Sequence, residues 1–261
     1  MLPQEELIQR VRELCHDDVR LVAALTYGSF AQGAGDAYSD VEFWLFFDPE
    51  SRAALDEERW LAGIAPFRYA VVNEFGSHVV FFPGLVRGEF HFATSDDIAS
   101  VGTWPALSAP VDQMIVVDHT GALRRALEML REQPSLPTTG AEINALCGRF
   151  ANWLVLAHHV ARRGELLRAV DALTHVHRHL LWMARLVEGR TGSWLTPSRR
   201  AESDLSAQVI SSITAATTSA DAAAVAKAIA AAWTCGRDLW ERLAEDVPAG
   251  LFADLDAAVQ R

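Results

Sequence analysis

Tyr27-Gly28-Ser29-Phe30 closes an apolar run, and the ten residues Phe30 to Ser39 lead to Asp40-Val41-Glu42, which opens another apolar run. A glycine after a strand lets the backbone turn sharply and approach a phosphate closely, and a serine at the helix start adds a hydroxyl donor. Gly28 and Ser29 therefore form half of an anion cradle. On a strand, side chains two apart share a face, so Asp40 and Glu42 present paired carboxylates while Val41 and Phe43 point the other way. Two carboxylates side by side repel, and a hard cation such as Mg²⁺, which favours one or two carboxylates plus substrate phosphates, relieves that cost. The run Leu85 to Phe92 adds a third: its alternation sets Arg87, Glu89 and His91 on one face and Val86, Phe90 and Phe92 on the other. Carboxylates on two strands of one sheet can hold two metals roughly 3.5–4 Å apart, clamping the attacking and leaving oxygens at phosphorus. The reading is thus nucleotide chemistry, with Asp40, Glu42 and Glu89 as metal ligands, Gly28 and Ser29 on the phosphates, Glu89 doubling as base for a hydroxyl acceptor, and Arg87 and His91 supporting it. A Gly-Ser pair alone is an ordinary turn, and Asp-x-Glu alone is a solvated strand start. The combination and its spacing carry the reading.

These residues need a sheet to hold them. Val19 to Tyr27, Val41 to Phe47, Phe67 to Val72, His78 to Phe82 and Leu85 to Phe92 are rich in β-branched and aromatic residues, and Met114 to Val117 adds a sixth candidate strand. Helical spacing marks residues 4–16 and 51–63. Around Gln133 to Gly140 two prolines and polar turn formers interrupt the pattern. Beyond them the spacing predicts helices over 141–163, 165–188, 200–217 and 220–245, a bundle. The fold class expected is α+β: a mixed-sheet domain over residues 1–135 followed by an all-α bundle over 136–261, with the site in the cleft between them.

The chain has 261 residues, 50% of them hydrophobic, and a formal net charge of −11. Such an acidic chain repels a polyanion, so no nucleic-acid partner is expected. The opening MLPQEELIQRVREL shows no basic flank and apolar core of a signal peptide, and no run is apolar enough to span a bilayer. A cytoplasmic protein without a membrane partner is expected. Cys15, Cys147 and Cys235 are widely spaced with no C-x-x-C, as suits plain thiols in a reducing compartment. Gly28 to Gly33 has a P-loop frame, but Ala34 stands where the phosphate-binding lysine is required. His175 and His179 form an i, i+4 pair without an accompanying H-E-x-x-H glutamate, and read as a polar helix face or a substrate-cleft lining rather than a zinc site. Arg163, Arg168, Arg178, Arg185, Arg199 and Arg200 make the helical half locally basic, so a subset could face a triphosphate. Trp153, Trp182, Trp194, Trp233 and Trp240 read as core.

The arrangement of Gly28-Ser29 with Asp40-Val41-Glu42 resembles the DNA polymerase β-like nucleotidyltransferase superfamily. The wider run YGSF (27–30), GDAYSDVEF (35–43), NEFG (73–76), LVRGEFHF (85–92), RHLLWMARLVEG (178–189) and WLTPSRR (194–200) is similar to the larger, two-domain lincosamide nucleotidyltransferases. That resemblance implies a polymerase β-like domain and an Mg²⁺-dependent transfer of AMP from ATP to a sugar hydroxyl of lincomycin or clindamycin. The resemblance implies that pyrophosphate is released and antibiotic resistance results. It also implies Asp40 and Glu42 as metal ligands, Glu89 as catalytic base, and a homodimer. The rival expectations are an adenylyltransferase of another hydroxylated antibiotic such as an aminoglycoside, and a non-catalytic antitoxin-like or nucleotide-sensing partner.

Overall fold

The structure, a computed structural model, describes residues 1–259. It divides into two compact units, one over residues 1–134 and a second from Ser135 onward. In the first unit the order is α1 (Pro3–Asp17), β1 (Leu21–Thr26), α2 (Gly28–Ala31), β2 (Val41–Phe47), α3 (Pro49–Ala53), α4 (Glu57–Ala62), β3 (Tyr69–Val72), β4 (His78–Phe81), β5 (Arg87–Thr94), α5 (Ile98–Val101), α6 (Val111–Met114), β6 (Ile115–Asp118) and α7 (Ala122–Glu128). The six strands form one sheet in the order β3-β4-β5-β2-β1-β6. Its central pair, β2 and β5, is parallel, and the other neighbours are antiparallel. A parallel pair needs a long crossover, and α3, α4 and the β3–β4 hairpin provide it.

Alternation along the strands builds two apolar layers. Val41, Phe43, Leu45 and Phe47 of β2 pack with Phe90 of β5 under Leu7 and Val11 of α1 and Trp60 and Leu61 of α4. Phe46 of β2 faces the other way with Ala23 and Leu25 of β1, against Val101, Leu123 and Leu127 of α5 and α7. Successive residues of a strand point to opposite faces, so the Val-x-Phe-x-Leu period of β2 alone sets the side to which Glu42 and Trp44 belong.

The second unit contains α8 (Gly140–Arg162), α9 (Leu166–Val187), α10 (Ala201–Asp204), α11 (Ala207–Ala215), α12 (Ala222–Leu243) and α13 (Ala249–Val259) around one core. Thr139 and Glu142 cap α8 reciprocally: the Glu142 amide donates to Thr139 Oγ1 (3.2 Å) and the Thr139 amide to Glu142 Oε2 (2.9 Å). At the α8–α12 crossing, Gly236 makes room for the Phe150 ring. A Cβ at Gly236 would fall 2.0 Å from Phe150 Cζ. No helix among the described residues is long and apolar enough to cross a membrane.

Two expected helices differ, and a helix of the second unit is unexpected. The helix expected over 51–63 is two helices, because Asp56 accepts from the Arg59 amide and starts a new one. The helix expected over 200–217 breaks between α10 and α11, where Ser206 donates its amide and hydroxyl to Glu188 (2.9 and 2.6 Å) and caps the second piece. Helix α13, which follows Pro248, lies outside the expected elements; its Phe252 packs edge-on against Trp233 and Trp240.

Candidate active site

The parallel register of β2 and β5 stacks side chains into rows on one face of the sheet. Phe46 lies opposite Ala93, Trp44 opposite His91, and Glu42 opposite Glu89. Moving toward the strand starts, that face passes from apolar to aromatic to charged. The Trp44 and His91 rings stack, with centroids 4.1 Å apart and planes 7° apart. Trp104 and Tyr27 close against them, Trp44–Trp104 at 5.7 Å and Tyr27–His91 at 6.1 Å.

At the charged end, Arg87 forks between two carboxylates. One nitrogen, Nη2, donates to Glu89 Oε2 at 2.8 Å, and Nη1 pairs with Asp40 Oδ2. Burial works against the Arg87 charge, but Glu89 and Asp40 more than offset it, so its pKa is raised. Glu42 lies against the Gly28 turn, where a Cβ on Gly28 would sit 1.6 Å from Glu42 Oε2. Gly28 has φ +74°, in the left-handed region that favours glycine. Both the conformation and the space therefore demand this residue. The turn is held from two sides: the Gly28 amide donates to Ser108 Oγ (2.9 Å), and Gln32 Nε2 donates to the Ser108 carbonyl (2.9 Å). From the strand side, Thr26 Oγ1 donates to the Glu42 carbonyl at 3.0 Å.

Behind Glu89 lies a network of neutral groups. His91 Nε2 is 3.5 Å from Glu89 Oε1 and 3.1 Å from the Tyr27 hydroxyl, and the buried Ser77 hydroxyl is 3.2 Å from His91 Nδ1 and 3.1 Å from Nε2. Burial lowers the His91 pKa despite the opposing pull of Glu89. Burial first, then the charges of Glu89 and Glu42, pushes the Tyr27 phenol far above its usual value, so it stays protonated. At neutral pH Glu89 is backed by a neutral imidazole and a phenol, and its strong ionic partner is Arg87.

The structure thus brings Asp40, Glu42, Glu89, Arg87, His91 and Gly28 to one end of one sheet face. Ser29 follows Gly28 in the one-turn helix α2. Among the described residues no three His, Cys, Asp or Glu side chains converge tightly enough to hold a metal ion. Arg87 holds the Asp40 and Glu89 oxygens that such an ion would use. The donor chemistry itself fits a hard divalent cation: carboxylate oxygens of Glu89 on β5, of Glu42 on β2 and of Asp40 just before it, beside a glycine turn. Sequence reasoning gave no role to Trp44, Trp104, Ser77 and Ser108. The period-2 pattern could have placed Trp44 with Glu42. Trp104 and Ser108 lie in the aperiodic stretch 102–110, which carries no such signal. NEFG forms the β3–β4 hairpin turn, in which Asn73 Oδ1 accepts from the Phe75 and Ser77 amides, and this turn delivers Ser77 to His91.

In the helical unit, Arg185 is a structural residue and not a phosphate ligand. It is fully buried and donates to the backbone carbonyls of Pro197, Arg190 and Arg199, with Asp204 as its ion partner. One side chain thereby organises the whole WLTPSRR loop. His179 donates Nδ1–H to the His175 carbonyl, and His175 stacks on Trp153 at 3.9 Å, which accounts for both histidines within the helix packing.

Comparison with known proteins adds an independent observation on this same unit. Residues 139–255 match the family model for the lincosamide nucleotidyltransferase-like C-terminal domain. The matched stretch takes in α8 to α12, the Arg185-centred loop and most of α13. Among curated proteins nothing matches. Solved structures similar to the chain include an aminoglycoside 6-adenyltransferase from Bacillus subtilis, 12% identical with a TM-score of 0.44 over 99% of both chains. Another is a nucleotidyltransferase-like protein from Exiguobacterium sibiricum, 13% identical with a TM-score of 0.37 over 99% of this chain and 80% of that one. A CCA-adding enzyme in complex with CTP is 12% identical with a TM-score of 0.33, over 100% of this chain and 82% of that one.

Proposed function

We propose that the chain is a divalent-cation-dependent nucleotidyltransferase that moves AMP from ATP to a sugar hydroxyl of a lincosamide antibiotic and thereby confers resistance. The observation that carries this reading is the pairing of Glu42 with Glu89 across the parallel strands, at the mouth of a glycine turn and within reach of Asp40 through Arg87. The family match of residues 139–255 supports the lincosamide acceptor. The proposed division of labour is a nucleotidyltransferase domain over 1–135 and a helical bundle domain over 136–261.

Asp40 and Glu42, with Glu89 as a third donor, would hold Mg²⁺, which would supply positive charge against the phosphate oxygens. Gly28 brings the backbone close to the β,γ-phosphates, and Ser29 offers them its hydroxyl. Glu89 accepts the proton of the acceptor hydroxyl as that oxygen bonds to the α-phosphorus, and the bond to pyrophosphate breaks. The neutral His91–Tyr27 pair behind Glu89 orients that carboxylate without supplying a competing charge. Trp44, Trp104 and Tyr27 give the charged row an aromatic wall suited to an amphiphilic acceptor. The reading includes a homodimeric, cytoplasmic enzyme.

Glu89→Gln is expected to lower turnover by about 10²–10⁴-fold, the span attributed to a positioned general base, while ATP binding stays within a few-fold of wild type. Mass spectrometry of clindamycin and kanamycin incubated with enzyme, ATP and Mg²⁺ checks the substrate. An AMP adduct on kanamycin alone would replace the lincosamide reading, and wild-type rates in Glu89→Gln would remove the base assignment.

A further inference from the structure

We propose that Arg87 is a resident counter-ion, which holds the Asp40 and Glu89 carboxylates in the cation-free enzyme and gives them up when a divalent cation enters. The proposal rests on the nucleotidyltransferase reading above and concerns how the site is kept assembled before substrate arrives. Arg87 sends its two terminal nitrogens to two different carboxylates, Asp40 just before β2 and Glu89 on its own strand β5, rather than both to one. A planar guanidinium can bridge in this way, and a single ammonium would have to choose. Without it, Glu89 on β5 would face Glu42 across the strand pair and Asp40 beside it as like charges, which spreads them apart or protonates one of them. A cation binding these oxygens must therefore displace the guanidinium.

The side chain is placed to make that exchange. Arg87 is the first residue of β5, follows the turn at Pro83–Leu85, and keeps about a third of its side chain (34%) in solvent. It can swing outward without disturbing the sheet, and once released it carries its fork of donors into the region where the triphosphate lies. The displaced arginine then becomes a phosphate clamp. Competition of this kind lowers the apparent affinity for the cation alone, because a share of the binding free energy goes into breaking two ion pairs. Cation and nucleotide together offset that loss, so the site favours the cation–nucleotide complex over the bare cation.

The test compares wild type, Arg87→Gln and Arg87→Lys, using Mn²⁺ as the probe. Calorimetric titration without nucleotide should show Mn²⁺ binding roughly tenfold tighter in Arg87→Gln, the order expected when charge-assisted pairs no longer compete. Arg87→Lys should fall between the two. Melting in chelator should be lower for Arg87→Gln than for wild type, with Mn²⁺ closing the gap. With a non-hydrolysable ATP analogue present, Arg87→Gln should lose its advantage and bind the nucleotide more weakly. If all three proteins take up Mn²⁺ with equal affinity, Arg87 does not compete and the proposal falls alone. If none takes it up, the cation reading falls and this proposal falls with it. Should Arg87→Gln fail to fold in chelator yet fold with Mn²⁺, the counter-ion role stands; failure under both conditions, with Arg87→Lys binding Mn²⁺ like wild type, overturns it.

Discussion

A methyl group at Gly28 meets two obstacles at once, a left-handed backbone and the Glu42 carboxylate 1.6 Å away. The first costs roughly 1–2 kcal/mol of stability for an L-residue. The second pushes Glu42 out of the row, and a displacement of about 1 Å in a catalytic group costs on the order of 10²-fold in rate. Gly28→Ala should therefore lower the melting temperature by only a few degrees yet reduce the proposed AMP transfer about a hundredfold or more, as thermal melting and a pyrophosphate-release assay would show together. Residue types and period-2 spacing make this glycine, the two acids that follow it and the Arg87-Glu89-His91 row legible in the sequence itself. They do not give the fork of Arg87 onto Asp40, since a salt bridge between residues 47 apart depends on which strands are neighbours. Nor do they separate a buried arginine that ties down a loop from an exposed one. Arg185 and Arg178 look alike in sequence, and only burial tells them apart.

At the scale of single elements, the start of α8 provides a titration. Hydrogen bonds from the Thr138 and Thr139 amides hold the Glu142 carboxyl down to about 2 from its usual 4.5. A carboxyl lowered by folding stabilises the fold above its unfolded value, and that contribution disappears as the pH falls through the folded one. The difference in melting temperature between wild type and Glu142→Gln should accordingly be full above pH 4.5 and gone near pH 2. Circular dichroism melts across that window would check it. Where α8 crosses α12, Gly236→Val would drive carbon into the Phe150 ring, and overpacking of this kind costs about 1–3 kcal/mol. Scanning calorimetry should register it as a lower melting temperature for the helical unit. Long, strongly periodic helices such as α8, α9 and α12 are legible in the residue pattern, as is the strand Val41–Phe47. The breaks at Asp56 and Ser206 are not, because a capping side chain in mid-pattern looks like any other polar position until its partner is known. Helix α13 escapes for a related reason: it is short and follows a proline, and it is the indoles of α12 that make its Phe252 core.

At the scale of the molecule, the helical unit has a core drawn entirely from its own residues, with Trp233, Phe150 and Leu154 at its centre. Expressed alone, residues 135–261 should be helical by circular dichroism and melt cooperatively; a broad, non-cooperative transition would mean that the core is incomplete without the first unit. The sheet unit presents the opposite situation, because its parallel β2–β5 pair joins strands separated by two helices and a hairpin. Local contacts can form the Gly28 turn and the β3–β4 hairpin early, but Glu42 and Glu89 meet only after that long loop has closed, and closing distant chain segments is the slow part of folding. A nascent or refolding chain therefore acquires its acidic row late. Until β5 has docked, Trp44 and the β2 edge lie open to other chains, which makes this stage the one most vulnerable to aggregation.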